Sequence, residues 1–283
     1  MSEPAAEVLG LIAGEGAFPL EVARAARRAG RRVAAVAFRG RADPRLADEV
    51  ADLTWIHPGE VAAGLAAFRG AGVRELVMVG KVPKAELLRD PQELRLDSQA
   101  SALMEELEDR RDDTILLRVA GVLESIGIRL LPQWALLPDA LVGEGTLGSV
   151  APTPEQEVDI AFGFPIAKKL GELDIGQTVV VKDRAVLALE AIEGTDLAIR
   201  RAGTLAPGGV VVKVAKPGQD PRFDVPTIGV RTVEVLAEAR CAVLAFEAGA
   251  TVVLERDALV RAADARGIAV CGVDPKRFES GGG

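Results

Sequence analysis

Residues 213 to 229 read Lys213-Val-Ala-Lys216-Pro-Gly-Gln-Asp220-Pro-Arg222-Phe-Asp224-Val-Pro226-Thr-Ile-Gly229. Three cations and two carboxylates crowd a stretch too rich in proline and glycine for regular structure. An irregular segment of this length in a compact protein is either functional or disordered, and its apolar flanks argue against disorder. The cations Lys213, Lys216 and Arg222 suit an anionic diphosphate, whose charge they can stabilise. Pro226 stiffens the backbone that holds Asp224. Ordinary surface ion pairing is the competing explanation for the same charges.

Three further stretches have the residue types for chemistry. Gly10-Leu-Ile-Ala-Gly14-Glu15-Gly16-Ala17 is an apolar strand feeding a glycine turn and then a helix start, so its amides can face a phosphate or a nucleotide. Its spacing is not Gly-x-Gly-x-x-Gly, and the next strand has no acidic residue at a clear ribose position; a plain tight turn accounts for it equally well. Gly80-Lys81-Val82-Pro83-Lys84 follows a second apolar run, at the carboxyl end of a strand where open α/β sheets bind ligands. Lys81 can reach a phosphate there, or both lysines are simply solvated. In Glu190-Ala-Ile-Glu193-Gly194-Thr195-Asp196 a strand ends and a helix begins. Thr195 is a candidate helix cap and Asp196 a favoured first-turn residue. With Glu190 and Glu193, Asp196 makes three carboxylates near one loop, as a Mg²⁺ ion or an amine-bearing ligand would want.

Composition removes several kinds of chemistry. The single histidine, His57, stands in a loop before a helix, so a histidine-based zinc centre or a Ser-His-Asp triad has almost nothing to draw on. Cys241 and Cys271 sit in separate apolar runs, which predicts buried, inert thiols in a reducing, cytoplasmic setting. A net charge of −8 argues against a nucleic-acid partner. No run reaches the ~18 apolar residues of a membrane span, though a surface patch can still touch a membrane. Catalysis falls to Asp, Glu, Lys, Arg, backbone amides and a metal such as Mg²⁺.

The elements that must position these groups alternate in the first half. Strands are expected at 8–13, 33–38, 75–79 and 128–131, with helices after Pro19, at 60–68 and at 114–125. That rhythm predicts an α/β, Rossmann-like N-terminal domain over residues 1–135. A Pro- and Gly-rich stretch at 132–154 marks the junction. Residues 136–283 are expected to form a mixed α/β C-terminal domain that carries Asp224 and the catalysis. Its expected parts are a helix at 155–170 kinked or broken near Pro165, a hairpin of 178–181 and 186–191 turning at Lys182-Asp183-Arg184, and a strand at 210–214. An irregular segment at 215–227, a helix at 232–239, strands at 242–246 and 251–254, a helix at 257–265 and a last strand at 268–272 complete it.

Taken together, Leu9-Gly-Leu-Ile-Ala-Gly14, Leu173-Asp-Ile-Gly-Gln177, Glu193-Gly-Thr-Asp196, the lysine-proline loop 213–218, Arg222-Phe-Asp224-Val-Pro-Thr-Ile-Gly229 and Cys271-Gly-Val-Asp274 resemble the LpxI family of UDP-2,3-diacylglucosamine diphosphatases over nearly the whole chain. The resemblance implies Mg²⁺-dependent hydrolysis of UDP-2,3-diacylglucosamine to UMP and 2,3-diacylglucosamine 1-phosphate, a step of lipid A biosynthesis, by water attack at the α-phosphorus. It also implies a homodimer, a cytoplasmic protein with transient contact at the inner-membrane surface, and a ligand lying between the two domains. It makes Asp224 the essential aspartate, as metal ligand or base. Gly14, Gly16, Ala17, Lys81, Val82, Thr195, Asp196, Lys213, Lys216 and Arg222 become substrate contacts. The chain departs from the family pattern at Glu15, within the glycine turn, and at Pro83, where a serine hydroxyl is usual. Two other readings of the residues are a nucleotide-cofactor oxidoreductase on the Rossmann half and a non-catalytic protein that binds a sugar nucleotide or lipid.

Overall fold

Runs of Val, Ala, Leu and Ile make strands that helices can cover on both faces. The computed structural model, which describes residues 7–82, 95–106 and 112–278, has this α/β architecture. The chain divides into two compact units: Met1–Leu137 with Pro221–Asp224, and Pro138–Asp220 with Val225–Gly283.

In the N-terminal unit the strands are β1 (Val8–Ala13), β2 (Arg32–Phe38), β3 (Asp52–Ile56), β4 (Glu75–Val79) and β5 (Arg129–Leu130). They form one sheet in the order β3-β2-β1-β4-β5, and every pairing is parallel. The helices are α1 (Phe18–Arg28), α2 (Val61–Ala71), α3 (Ser98–Glu105) and α4 (Asp112–Ser125). Pro19 occupies the first turn of α1, as expected. Strand β3 and helix α3 were not foreseen: β3 is only half-buried along most of its length, so its apolar signal is diluted by Asp52 and Thr54.

Phe223, only 3% exposed, belongs to the core of this first unit together with Val36, Phe68, Leu76, Leu123 and Leu130. A contiguous C-terminal domain carrying Asp224 was expected; instead Pro221–Asp224 packs with the N-terminal unit. The physical reason is a large aromatic side chain that gains more by entering that core than by remaining in solvent.

The C-terminal unit holds β6 (Gly145–Leu147), α5 (Pro154–Glu172), β7 (Thr178–Lys182), β8 (Ala185–Leu189), α6 (Thr195–Leu205), β9 (Val210–Lys213), β10 (Thr227–Ile228), α7 (Val230–Glu238), β11 (Val243–Glu247), β12 (Val252–Val253), α8 (Arg256–Asp264) and β13 (Ala269–Val273). Its main sheet runs β6-β13-β11-β9-β7-β8. The centre, β13-β11-β9, is parallel, and β6, β7 and β8 join antiparallel. Thr227–Ile228 pairs with Val252–Val253 in a small second sheet, so the irregular segment ends in a strand.

Helix α5 runs through Pro165 without ending there, so of the kink or break expected at that residue the break does not occur. Thr153 and Gln156 form a reciprocal cap at its start, and Ile160, Phe164 and Ala167 are buried along one side while Pro165 faces solvent. Packing and capping outweigh one lost backbone bond. The β7–β8 hairpin forms as expected, with Asp183 and Arg184 both at positive φ. Buried Asp159 of α5 accepts both of their amides, at 2.9 and 2.7 Å.

Both cysteines are free and buried. Burial pushes the Cys241 thiol up to about 11 and Cys271, with Glu157 nearby, to about 12, so neither supplies a thiolate near neutral pH. No helix among the described residues is long and apolar enough to cross a membrane. Truncating the aromatic plug, Phe223→Ala, is expected to lower the stability of the N-terminal unit by about 3–5 kcal/mol, read as an earlier urea midpoint of fluorescence from Trp55 or Trp134.

Candidate active site

At the sheet order's reversal, between β1 and β4, the chain leaves two strands side by side at their carboxyl ends, where open parallel sheets bind ligands. The structure brings Gly14, Gly16 and Ala17 together with Lys81 and Val82 there. Glu15 donates its amide to the Lys81 carbonyl at 2.8 Å, and Lys81 returns its own to Glu15 at 3.0 Å. Gly14 donates to the Val79 carbonyl at 2.9 Å. A Cβ at Gly14 would lie 2.6 Å from the Lys81 oxygen, and one at Gly80 would lie 2.6 Å from the Gly14 carbonyl carbon, so both glycines are required by backbone approach. Glu15, by contrast, sits in an ordinary bridge with its side chain exposed, so this position of the turn does not need glycine. Ala17 caps α1 without any side-chain hydrogen bond, which leaves the first-turn amides of α1 for other acceptors. Pro83 and Lys84 lie outside the described residues.

Asp224 belongs to the same unit. Phe223 and Val225 on either side are buried, while Asp224 is exposed with a φ of +58°, a conformation that aspartate tolerates better than most residues. Sequence reasoning missed the residue that ties this segment down. Gln133, 7% exposed, donates its backbone amide to the Pro221 carbonyl at 2.9 Å and its side-chain amide to the carbonyl of Met78 in β4 at 2.6 Å. One side chain in a Pro-rich stretch gives no pattern that would single it out. Arg222 forms an ion pair with Glu124 at 2.6 Å and lies 5.8 Å from the Phe223 ring centre.

In the C-terminal unit the expected trio Glu190, Glu193 and Asp196 does not converge. Glu193 pairs with Arg201 at 2.7 Å and Asp196 with Arg231 at 3.6 Å. Glu190 is buried at 8% exposure and turned inward. Each carboxylate has gone to its own positive group, and among the described residues no three of His, Cys, Asp and Glu gather as a metal site would need.

What the interior holds instead is a hydrogen-bonded chain. Lys213, 4% exposed, donates its Nζ to the Thr195 hydroxyl at 2.9 Å, and Thr195 donates to Glu190 Oε1 at 2.7 Å. The Gln177 amide reaches Glu190 Oε2 at 3.3 Å. Thr195 therefore does not cap its helix: Gly194 is the cap residue, and the hydroxyl of Thr195, the first helical residue, is committed to the buried carboxylate. Burial by itself would raise the Glu190 carboxyl; the Lys213 ammonium and the neighbouring hydrogen bonds outweigh it and hold it below the usual carboxylate range.

The loop after β9 is anchored at its base. Lys168 donates to the Ala215 carbonyl at 2.9 Å and to both oxygens of Glu247, at 3.2 and 3.0 Å. Glu247 accepts the Ala215 amide at 2.9 Å. Lys216 pairs with Asp174 at 2.8 Å, and its backbone amide reaches the Gln219 side chain at 3.0 Å. Ion pairing, the plain alternative for the charges of this segment, therefore accounts for part of Lys216 and Arg222.

One unit thus holds a strand, a glycine turn and a helix start, and the other a buried lysine beneath a helix start. The chain belongs to the LpxI family: residues 8–140 match the LpxI N-terminal domain and residues 143–271 the LpxI C-terminal domain. It is 37% identical over 281 residues to the UDP-2,3-diacylglucosamine pyrophosphatase LpxI of Caulobacter vibrioides, an alignment spanning 95% of this chain and 98% of that protein.

The Glu190–Lys213 pair makes stability depend on pH with a defined sign. A carboxyl held below its unfolded value of about 4.3 contributes fully above that value, and the contribution is lost as pH falls through the folded one. Lys213→Met leaves a buried carboxylate without its counter-charge, expected to cost about 3–5 kcal/mol at pH 7. Without Lys213, burial raises the Glu190 carboxyl, so the variant takes up its proton first. The gap to the unaltered protein should therefore begin to narrow above about pH 4 and go on narrowing as pH falls, as urea titrations from pH 3 to 8 would show.

Proposed function

We propose that this protein hydrolyses UDP-2,3-diacylglucosamine to UMP and 2,3-diacylglucosamine 1-phosphate, with Asp224 as the residue that activates water. The observation that carries the reading is an exposed aspartate, fixed between two buried neighbours in a chain that matches the LpxI family over both of its domains. The relative's activity is the source of the substrate.

In the N-terminal unit the amides around Gly14, Gly16 and Ala17, with Lys81 and Val82, bind and orient the nucleotide portion. In the C-terminal unit the first-turn amides at Thr195 and Asp196, with Lys213, hold phosphate oxygens, where a helix start and an ammonium favour anions. Lys216 and Arg222 add positive charge by exchanging their present carboxylate partners for phosphate. Asp224 takes a proton from the water that attacks the α-phosphorus; the new P–O bond forms on that atom, and its bond to the bridging oxygen breaks. The oxygen of water thus ends in UMP.

A magnesium ion fits the donor chemistry, since Mg²⁺ commonly uses one or two carboxylates together with substrate phosphates and water, and Asp224 would hold it. When bound, such an ion neutralises phosphate charge and acidifies its water. A lipid substrate is also consistent with the surface: seven of the ten exposed large apolar side chains among the described residues lie between Leu173 and Leu205. That stretch is our candidate for contact with acyl chains or with the inner-membrane surface, tested by flotation with phospholipid vesicles. The assembly we expect is a homodimer in the cytoplasm; sedimentation of a monomer at micromolar concentration would refute the dimer.

Asp224→Asn keeps a side chain that accepts positive φ and removes the charge. Its kcat is expected to fall by about 10²–10⁴-fold with substrate still bound. In ¹⁸O-water with Mg²⁺ the unaltered enzyme should place label in UMP. Label in the sugar phosphate, or near-normal turnover by Asp224→Asn, defeats the mechanism.

A further inference from the structure

Glu190 is a buried acid for which the proposed reaction has no direct use. It sits at the end of β8 with both oxygens engaged from inside the unit, Oε1 by the Thr195 hydroxyl and Oε2 by the Gln177 amide. A Cβ at Gly176 would lie 2.4 Å from the Glu190 carbonyl oxygen, so the strand end and the Gly176-Gln177 turn are pressed together. Lys213 stands on the central strand β9, paired in register with Thr178 on one side and Phe246 on the other. Its ammonium reaches Thr195 at the first residue of α6. The Gln177 side-chain oxygen is buried without a hydrogen-bond partner among the described residues.

A buried charge so placed has a direct chemical consequence. The Thr195 hydroxyl donates its one hydrogen bond to Glu190, so it can only accept from Lys213 and cannot also donate to a ligand. Thr195 then offers a phosphate its backbone amide, while its side chain fixes where the lysine points.

We propose that Glu190 is a positioning residue for the phosphate-binding lysine, acting through the Thr195 hydroxyl to hold Lys213 against the first turn of α6. The inference rests on the function proposed above and extends it to a residue that touches no substrate. Glu190 and Thr195 form one unit, so removing either breaks the same arrangement.

The test is a double-mutant cycle on the full chain with UDP-2,3-diacylglucosamine. Glu190→Gln and Thr195→Val should each lower kcat on the order of 10–100-fold while KM moves by less than about threefold. The double variant should be no worse than either single one, and Thr195→Ser, which keeps the hydroxyl, should restore most of what Thr195→Val loses. A folded Glu190→Gln with unaltered kcat overturns the proposal, as do two losses that multiply in the double variant. If Glu190→Gln does not fold, the contrast between Thr195→Val and Thr195→Ser decides, and equal rates overturn it. If the unaltered protein releases no UMP, the function reading has failed on its own. Glu190 is then judged by calorimetry with inorganic pyrophosphate in the absence of metal: weaker binding by Glu190→Gln, by about two- to threefold, sustains the role, and equal affinity removes it.

Discussion

The burial of Phe223 in the core that also contains Leu76, Leu123 and Leu130 ties a four-residue segment from late in the chain to a sheet built by the first 137 residues. An aromatic ring of that size has a large area to remove from water and few places to put it. Once it is seated, Asp224 has little freedom, because Val225 on its other side is buried as well. Gln133 adds two hydrogen bonds that fix Pro221 and Met78 to one short stretch of backbone. The exposed carboxylate is thus carried on a backbone held by apolar packing and amide geometry.

The second unit solves a different problem. A carboxylate at 8% exposure costs free energy unless it is paired, and Glu190 is paired with a lysine that is itself buried. The two are separated by a threonine hydroxyl that serves both. Such chains are sensitive to any change in a member, because each remaining group would be left buried and unmatched. The neighbouring Lys168–Glu247 pair performs the simpler task of gripping Ala215, where the chain leaves β9 for the long segment.

Charge counting along the sequence treats Lys213, Lys216 and Arg222 as equals. The structure separates them: one is interior and joined to a hydroxyl, and the other two, half-buried, pair with Asp174 and Glu124. The same sorting dissolved the apparent trio of Glu190, Glu193 and Asp196 into three unrelated interactions.

Much of the frame could be read in advance. Apolar runs ending in glycine located β1, β2 and β4 and the turn after β1, because buried parallel strands and close backbone approaches leave few residue choices. The near-absence of histidine and the separation of the two cysteines argued against histidine- and thiol-based chemistry, and the spread of motifs pointed to its family. The half-buried strand β3, the path of α5 through Pro165, the move of Pro221–Asp224 into the first unit, and the roles of Gln133 and Glu190 were decided only by the tertiary structure. Each depends on a neighbour far away in sequence: a core cavity that accepts Phe223, a sheet that anchors Phe164, a lysine that reaches Thr195. Local composition carries the period of an element and the identity of a turn, but a pairing between distant side chains exists only once the chain has brought them together.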